Sequence, residues 1–293
     1  MADIFDNIIT LPSAEVQKQT ENLVGFQSKF DRIYNNLKLL LDQGSLSDWS
    51  KKYHKVDLPI ISQLKDKYPL IILAGDAGTG KTISATSIAD KMTRELGKEG
   101  YFLKLSTRVR GEGMHGEMGK LVNDAFSELK KQAGKRRLAF LLIDEADAIA
   151  TTRATGQMHQ EEKAAVNTLI QKIDDVREMD GRAILFMSTN RLHFIDEAIL
   201  RRAAIILEFK RPTEKEYKEL YAQSLKGINL KDEELSELAK LSKKDGESVG
   251  YSFSDVRLKV LPEAVASAYP DKPLSFDILK ETIANVKPSP EIK

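Results

Sequence analysis

The eight residues Gly75-Asp76-Ala77-Gly78-Thr79-Gly80-Lys81-Thr82 constrain this chain more than any other stretch of it. They fit the pattern G-x-x-x-x-G-K-[ST] in full. Its glycines let the backbone curl until successive N–H groups point inward at an anion. A short apolar run at 70–73 precedes the motif, and a helical pattern from Lys81 to about Leu96, closed by Gly97, follows it. A helix starting there presents roughly half an elementary charge to the same anion. In such a loop Lys81 reaches the β- and γ-phosphates and the Thr82 hydroxyl binds Mg2+. Asp76, Ala77, Gly78, Thr79, Gly80 and Ile83 complete the phosphate-side candidates. The expected ligands are therefore ATP and Mg2+.

Around this motif short apolar segments alternate with amphipathic ones. Strands are predicted at 70–73, 101–106, 138–143, 183–188 and 204–209, and helices at 81–96, 117–133 and about 160–179. This alternation indicates a three-layer αβα domain with a parallel sheet covered on both faces. Ahead of it, Phe30, Ile33, Leu37, Leu40 and Leu41 recur at three- and four-residue steps, which predicts an amphipathic helix ending near Gly44. Trp49 is expected to pack. After Arg211-Pro212 the strands stop, and helices are predicted at 213–226, 232–241, 254–268 and 275–286. Thr213 and Ser275 stand as N-caps, and Pro262 should kink or shorten the third helix. The expected division is a loosely held arm at 1–20, a large αβα domain at 21–211 and a small helical domain at 212–293.

The apolar run 138–143 leads straight into Asp144-Glu145. Two adjacent acids at the end of a fully apolar strand have no packing purpose, and placing them there costs desolvation. Beside a phosphate loop the first acid holds the metal ion. The second positions and deprotonates the attacking water. Asp147, one step further on, reads as a helix or loop residue. Asn190 follows the next strand, at the sheet edge where ligands bind, and its amide can reach a γ-phosphate or the water.

Composition narrows the alternatives. Lys and Arg number 45 against 44 Asp and Glu, which leaves no general basic coat for nucleic acid. The absence of cysteine excludes disulfides and thiolate chemistry, and the four scattered histidines show no i,i+4 zinc spacing. The first ten residues lack the basic-then-apolar layout of a signal peptide, and no apolar run is long enough to cross a bilayer. A cytoplasmic protein is expected.

Phosphate loop, Asp-Glu strand end, strand-end Asn, an Arg pair after a short helix and a helical lid together resemble the AAA+ ATPases over residues 20–290. Val24-Gly25 is similar to that family's adenine-side motif. Within the family the chain most resembles the pachytene-checkpoint (thyroid-receptor-interactor-type) ATPases, which remodel HORMA-domain proteins. Residues 116–131, 140–154, 164–176 and 198–205 carry this likeness in order and at matching spacing. Only about twenty residues precede Leu23, so no separate N-terminal substrate-binding domain is expected. In this the chain is similar to bacterial relatives associated with cyclic-nucleotide antiphage defence.

The resemblance implies a homo-hexameric ring in which Arg202, with Arg201 as neighbour, reaches the ATP of the next subunit. It also implies that Met114 and His115, in a glycine-flanked loop where the family often has two aromatics, grip a protein substrate in the pore. The stretch 150–161 would be a second pore loop, and Arg257 of the lid a nucleotide sensor. The activity implied is ATP hydrolysis coupled to unfolding of a HORMA-domain partner. Two other functions are compatible with the motifs, a DNA-acting AAA+ helper and a nucleotide-gated assembly switch. Near-zero net charge opposes the first, and Glu145 opposes the second.

Overall fold

The computed structural model describes residues 4–65, 67–106, 117–152, 160–243 and 249–292. The chain divides into two compact units. One comprises Met1–Glu21, Gln27–Ala74 and Thr82–Glu208, the other Asn22–Phe26, Gly75–Lys81 and Phe209–Lys293. The single break expected near residue 211 thus falls at Glu208, and most of the glycine-rich loop groups with the helical unit. The reason is contact: a Cβ at Gly75, whose φ is +148°, would lie 1.9 Å from the Phe209 carbonyl oxygen.

The first unit holds strands β1 (Phe5–Leu11), β2 (Leu70–Gly75), β3 (Gly100–Leu105), β4 (Leu138–Ile143), β5 (Ala183–Thr189) and β6 (Ala203–Phe209). Its helices are α1 (Ala14–Glu21), α2 (Phe26–Leu41), α3 (Gln43–His54), α4 (Ile60–Lys65), α5 (Lys81–Glu95), α6 (Glu117–Ala133), α7 (Gln160–Arg177) and α8 (Glu197–Leu200). The strands form one sheet in the order β1-β3-β4-β5-β2-β6. From β3 to β2 all neighbours run parallel, with Leu141 in register between Leu103 and Leu185. Every residue of β4 and β5 is buried, as expected for strands covered on both faces.

Strand side chains alternate between the two faces. Leu103, Leu141 and Leu185 join Leu129 of α6 and Leu169 of α7 in one core. The alternate residues Phe140 and Phe186 stack with ring centroids 6.3 Å apart and are equally buried. In α2 the five apolar residues that set its period are all buried. Each such side chain contributes about 1.5–3 kcal/mol relative to leaving it in water. Among the described residues no helix is long and apolar enough to cross a membrane.

Two expectations need correcting. Of the arm expected at 1–20, residues 5–20 are not loose: β1 pairs antiparallel with β3, Ile9 opposite Phe102 and Leu11 opposite Gly100, and α1 follows. Only Phe5 and Leu11 of β1 are buried, so the stretch carries little apolar pattern of its own. Its anchors are remote. Buried Asp90 of α5 accepts from Ser13 N–H at 2.6 Å and from Arg94 Nε at 2.7 Å, while Arg94 Nη2 donates to the Ser13 carbonyl at 2.8 Å. Trp49, expected to pack, is 46% exposed beside Tyr53 and His54.

The second unit contains α9 (Glu214–Ser224), α10 (Asp232–Lys243), α11 (Phe253–Asp255), α12 (Leu261–Ala268) and α13 (Phe276–Asn285). Thr213 forms a capping box with Glu216, and Ser275 accepts from the Ile278 N–H, as their positions predict. A π-helical turn at Val256–Val260 stands between α11 and α12. Pro262, near the start of α12, cannot donate a backbone hydrogen bond and crowds the preceding turn, which breaks the regular ladder there. Tyr217, Tyr221 and Tyr251 lie fully inside, each hydroxyl satisfied. Tyr217 donates to the Tyr251 carbonyl, and Tyr251 donates to the carbonyls of Ile283 (2.7 Å) and Val286 (2.6 Å). Burial pushes the Tyr251 hydroxyl up to about 12.

Asp90→Ala is expected to cost about 2 kcal/mol, since it removes charge-assisted bonds at a buried carboxylate and leaves Arg94 only the Ser13 carbonyl. Urea unfolding would check this, and limited proteolysis should then cut first within residues 1–20.

Candidate nucleotide-binding site

In the first unit the site is built on strand ends. Asp144 leaves the carboxyl end of β4 and accepts from the Thr82 hydroxyl, at the start of α5, at 3.0 Å. Its other oxygen accepts from the Ser188 hydroxyl, and Lys104 Nζ lies 3.4 Å away. Burial pushes the Asp144 carboxyl up. The Ser188 and Thr82 hydroxyls and the Lys104 ammonium outweigh it and hold the group below the usual carboxylate value. A hydroxyl beside an ionised carboxylate is the donor set Mg2+ takes from a protein when substrate phosphates and water supply the rest. Among the described residues no trio of His, Asp or Glu could hold a metal unaided.

Glu145 adopts the left-handed region at φ 49°, an uncommon conformation for a residue with a side chain, and is exposed. The chain turns immediately into a 3-10 segment, Ala146–Ala148. Asp147 accepts from the Thr189 hydroxyl at 2.9 Å, a loop-stabilising role as expected. Asn190 directly follows β5, which pairs with β4, so it and the acid pair occupy carboxyl ends of adjacent parallel strands.

The two arginines after α8 differ sharply. Arg202 forms a bidentate pair with Asp174 (2.7 and 3.1 Å), donates to the Ala198 carbonyl and stacks over the Tyr68 ring. The Asp174 contact raises its pKa further. Arg201 has an 80% exposed side chain with one 3.4 Å contact to the equally exposed Glu197. Such surface pairs are worth little. The structure therefore leaves Arg201, not Arg202, as the extended member. Met114 and His115 lie outside the described residues, as does most of the stretch 150–161.

The second unit carries the loop itself. Gly75, Gly78 and Gly80 all have positive φ. A Cβ at Gly78 would fall 2.7 Å from Ser252 Oγ and 2.8 Å from Ser254 Cβ, so the cradle admits only glycine there. Lys81 is nearly buried and donates to the carbonyls of Gly75 (2.9 Å) and Asp76 (2.8 Å). Thr79, also buried, donates to the Asp76 carbonyl at 2.7 Å, and Ala77 N–H donates to Asp76 Oδ1. Val24 is buried in the apolar cluster of this unit, and Gly25 beside it has φ +70°. Arg257 donates to the Asn22 carbonyl at 2.9 Å, which brings it to the start of the Val24-Gly25 segment.

Several residues around the loop are absent from the sequence expectations. Arg211 pairs with Asp76, and Ser254 N–H donates to the Gly78 carbonyl at 3.1 Å. Ser252 and Asp255 form a reciprocal cap beneath it. The Arg-Pro dipeptide marks Arg211 only as a boundary, and the likeness of residues 250–257 to a nucleotide-sensing region points to Arg257 rather than to the serines within it.

A glycine-built anion cradle, a hydroxyl–carboxylate pair and a strand-end acid on this sheet define a P-loop ATPase of the AAA class, and the ATPase family associated with various cellular activities (AAA) matches residues 71–211. The chain is 43% identical over 290 residues to CD-NTase-associated protein 6 of Escherichia coli strain KTE188, covering 99% of this chain and 97% of that one. A chain of the solved E. coli MS115-1 HORMA:CdnC:Trip13 complex superposes with a TM-score of 0.91 at 35% identity, over 99% of this chain and 98% of the other. Rhizobiales Trip13 gives 0.76 at 28% identity, over 98% and 100%. The chain belongs to the CD-NTase-associated protein 6 family of AAA ATPases.

Asp255 offers a pH test of the loop's support. Burial pushes its carboxyl up, but Lys259, the Ser252 N–H and the hydroxyl and N–H of Ser289 outweigh this and hold it far below the usual range. A carboxyl depressed in the folded state adds stability above its unfolded pKa, about 3.9, and loses it as pH falls through the folded value. Asp255→Asn is thus expected to cost about 1–3 kcal/mol at pH 7. The gap from the parent should narrow below about pH 4. Urea titrations at the two pH values read both.

Proposed function

We propose that this protein is a cytoplasmic ATPase that assembles as a homo-hexameric ring and partly unfolds a HORMA-domain protein, regulating a cyclic-nucleotide antiphage system. The observation that supports it most is end-to-end likeness, in sequence and in fold, to a chain of the E. coli HORMA:CdnC:Trip13 complex. Family membership supports ATP as the substrate.

In this reading backbone amides of 76–80 and the Lys81 ammonium bind the triphosphate, with Val24, Gly25 and Ile83 on the nucleoside and first-turn side. Thr82 and Asp144 hold Mg2+, which when bound neutralises charge on the β- and γ-phosphates. Glu145 orients a water and takes its proton as oxygen attacks the γ-phosphorus and ADP leaves. Asn190 steadies the same water or the γ-phosphate. Of the Arg pair, Arg201 reaches the neighbouring subunit's nucleotide, while Arg202, tied to Asp174, keeps α8 in place. Arg257 senses the nucleotide from the lid, and Met114 and His115 grip the substrate chain.

Steady-state ATPase with added HORMA-domain protein, and separately with DNA, tests this reading. Stimulation by the protein alone is expected; stimulation by DNA alone sinks it. Glu145→Gln should lower turnover by about 10²-fold or more while Mg·ATP still binds. Arg201→Ala subunits should regain activity when mixed with subunits that carry Arg201 and Lys81→Ala. No recovery would exclude a finger shared between subunits.

A further inference from the structure

Asp76 is the one acidic residue of the phosphate loop, and its partners come from far along the chain. Arg211 Nε and Nη2 lie 2.6 and 2.5 Å from Asp76 Oδ2, and both side chains are close to buried, at 10% and 12% exposure. The same guanidinium donates to the Gly250 carbonyl and, at 2.8 Å, to the Ser289 carbonyl. The Ile292 N–H reaches Asp76 Oδ1 at 3.3 Å, the oxygen that also accepts from Ala77 N–H at 2.8 Å. Residues 289–292 are themselves pinned. Ser289 Oγ donates to Asp255 Oδ1 at 2.7 Å, its N–H donates to Asp255 Oδ2 at 3.2 Å, and Lys259 Nζ donates to its hydroxyl at 2.7 Å.

The loop is therefore held from two directions. Through Asp76, Arg211 and Ile292 set the turn whose backbone carbonyl receives Lys81 and Thr79. Through Asp255, Ser289 supports Ser252, the residue against which Gly78 is fitted. A glycine-rich turn loses more conformational entropy on ordering than any other kind of segment. Holding it in shape before the ligand arrives removes that cost from binding. Arg211 touches none of the groups assigned to hydrolysis, so its influence falls on affinity.

We propose that Arg211 is a positioning residue for nucleotide binding, which together with the strap 288–292 fixes Asp76 so that the phosphate loop stands ready for ATP. The inference rests on the nucleotide-binding reading above and adds the residues that tune it. A consequence is that anything displacing residues 288–292 weakens ATP binding without altering the hydrolytic groups.

The test uses the full chain, titrated with a fluorescent Mg·ATP analogue and assayed for steady-state ATPase. Arg211→Gln, and separately replacement of residues 288–292 by Gly-Gly-Ser-Gly-Pro, which removes the Ser289 hydroxyl and the N–H at 292, should each raise Kd and KM on the order of tenfold. At saturation kcat should stay within about twofold of the parent. Arg211→Lys should recover part of the loss, because an ammonium can still pair with Asp76 but cannot reach both carbonyls. Combining Arg211→Gln with the replacement should give less than the product of the two effects, since both act on Asp76. Parent-like KM in the replacement variant, or KM and kcat moving together, overturns the inference and leaves the functional reading intact. A parent chain that binds no Mg·ATP overturns both. Should Arg211→Gln fail to fold, the replacement variant alone decides.

Discussion

Asp144 carries its negative charge at the mouth of the most deeply buried strand in the molecule, and much else is arranged around that fact. All six residues of β4 are inaccessible to solvent, so the carboxylate at its end sits where charge is expensive. Two hydroxyls, from Thr82 and Ser188, and the Lys104 ammonium hold it ionised. Each comes from a different element: the first turn of α5, the end of β5 and the edge-side strand β3. The strands β3, β4, β5 and β2 deliver these groups to one edge because they run the same way, and the turns that follow them open on the same side.

The phosphate loop obeys a second constraint, one of space rather than charge. Gly75 leaves no room for a Cβ against the Phe209 backbone, and Gly78 leaves none against Ser252 and Ser254. These glycines are therefore explained twice, once by the inward-turned amides an anion needs and once by the helical unit that crowds them. That unit fills its own interior with three tyrosines whose hydroxyls all find acceptors, which gives the serines and Asp255 beside the loop a rigid base.

The arginine pair illustrates how far residue type alone can be taken. Both side chains are the same and adjacent, and likeness to related proteins favoured Arg202. Their surroundings differ: a bidentate carboxylate, a carbonyl and an aromatic face engage Arg202, whereas Arg201 meets one distant, solvated carboxylate. A guanidinium so engaged must abandon several bonds to reach elsewhere, and one in water need not.

What the amino-acid order by itself determined is the part written in short patterns: the 75–82 loop between strand and helix, the Asp144-Glu145 pair closing an apolar run, the alternation that makes a covered parallel sheet, and the caps at Thr213 and Ser275. These are legible because the chemistry or the local backbone demands particular residues at fixed spacing. Tertiary structure alone decided that residues 5–11 are a strand, since β1 buries little and depends on β3 and Asp90. It alone placed Trp49 at the surface, gave Arg201 and Arg202 different surroundings, and joined Asp76 to Arg211 across 135 residues. In each case the partner lies far away along the chain, and no local pattern encodes a contact that only folding creates.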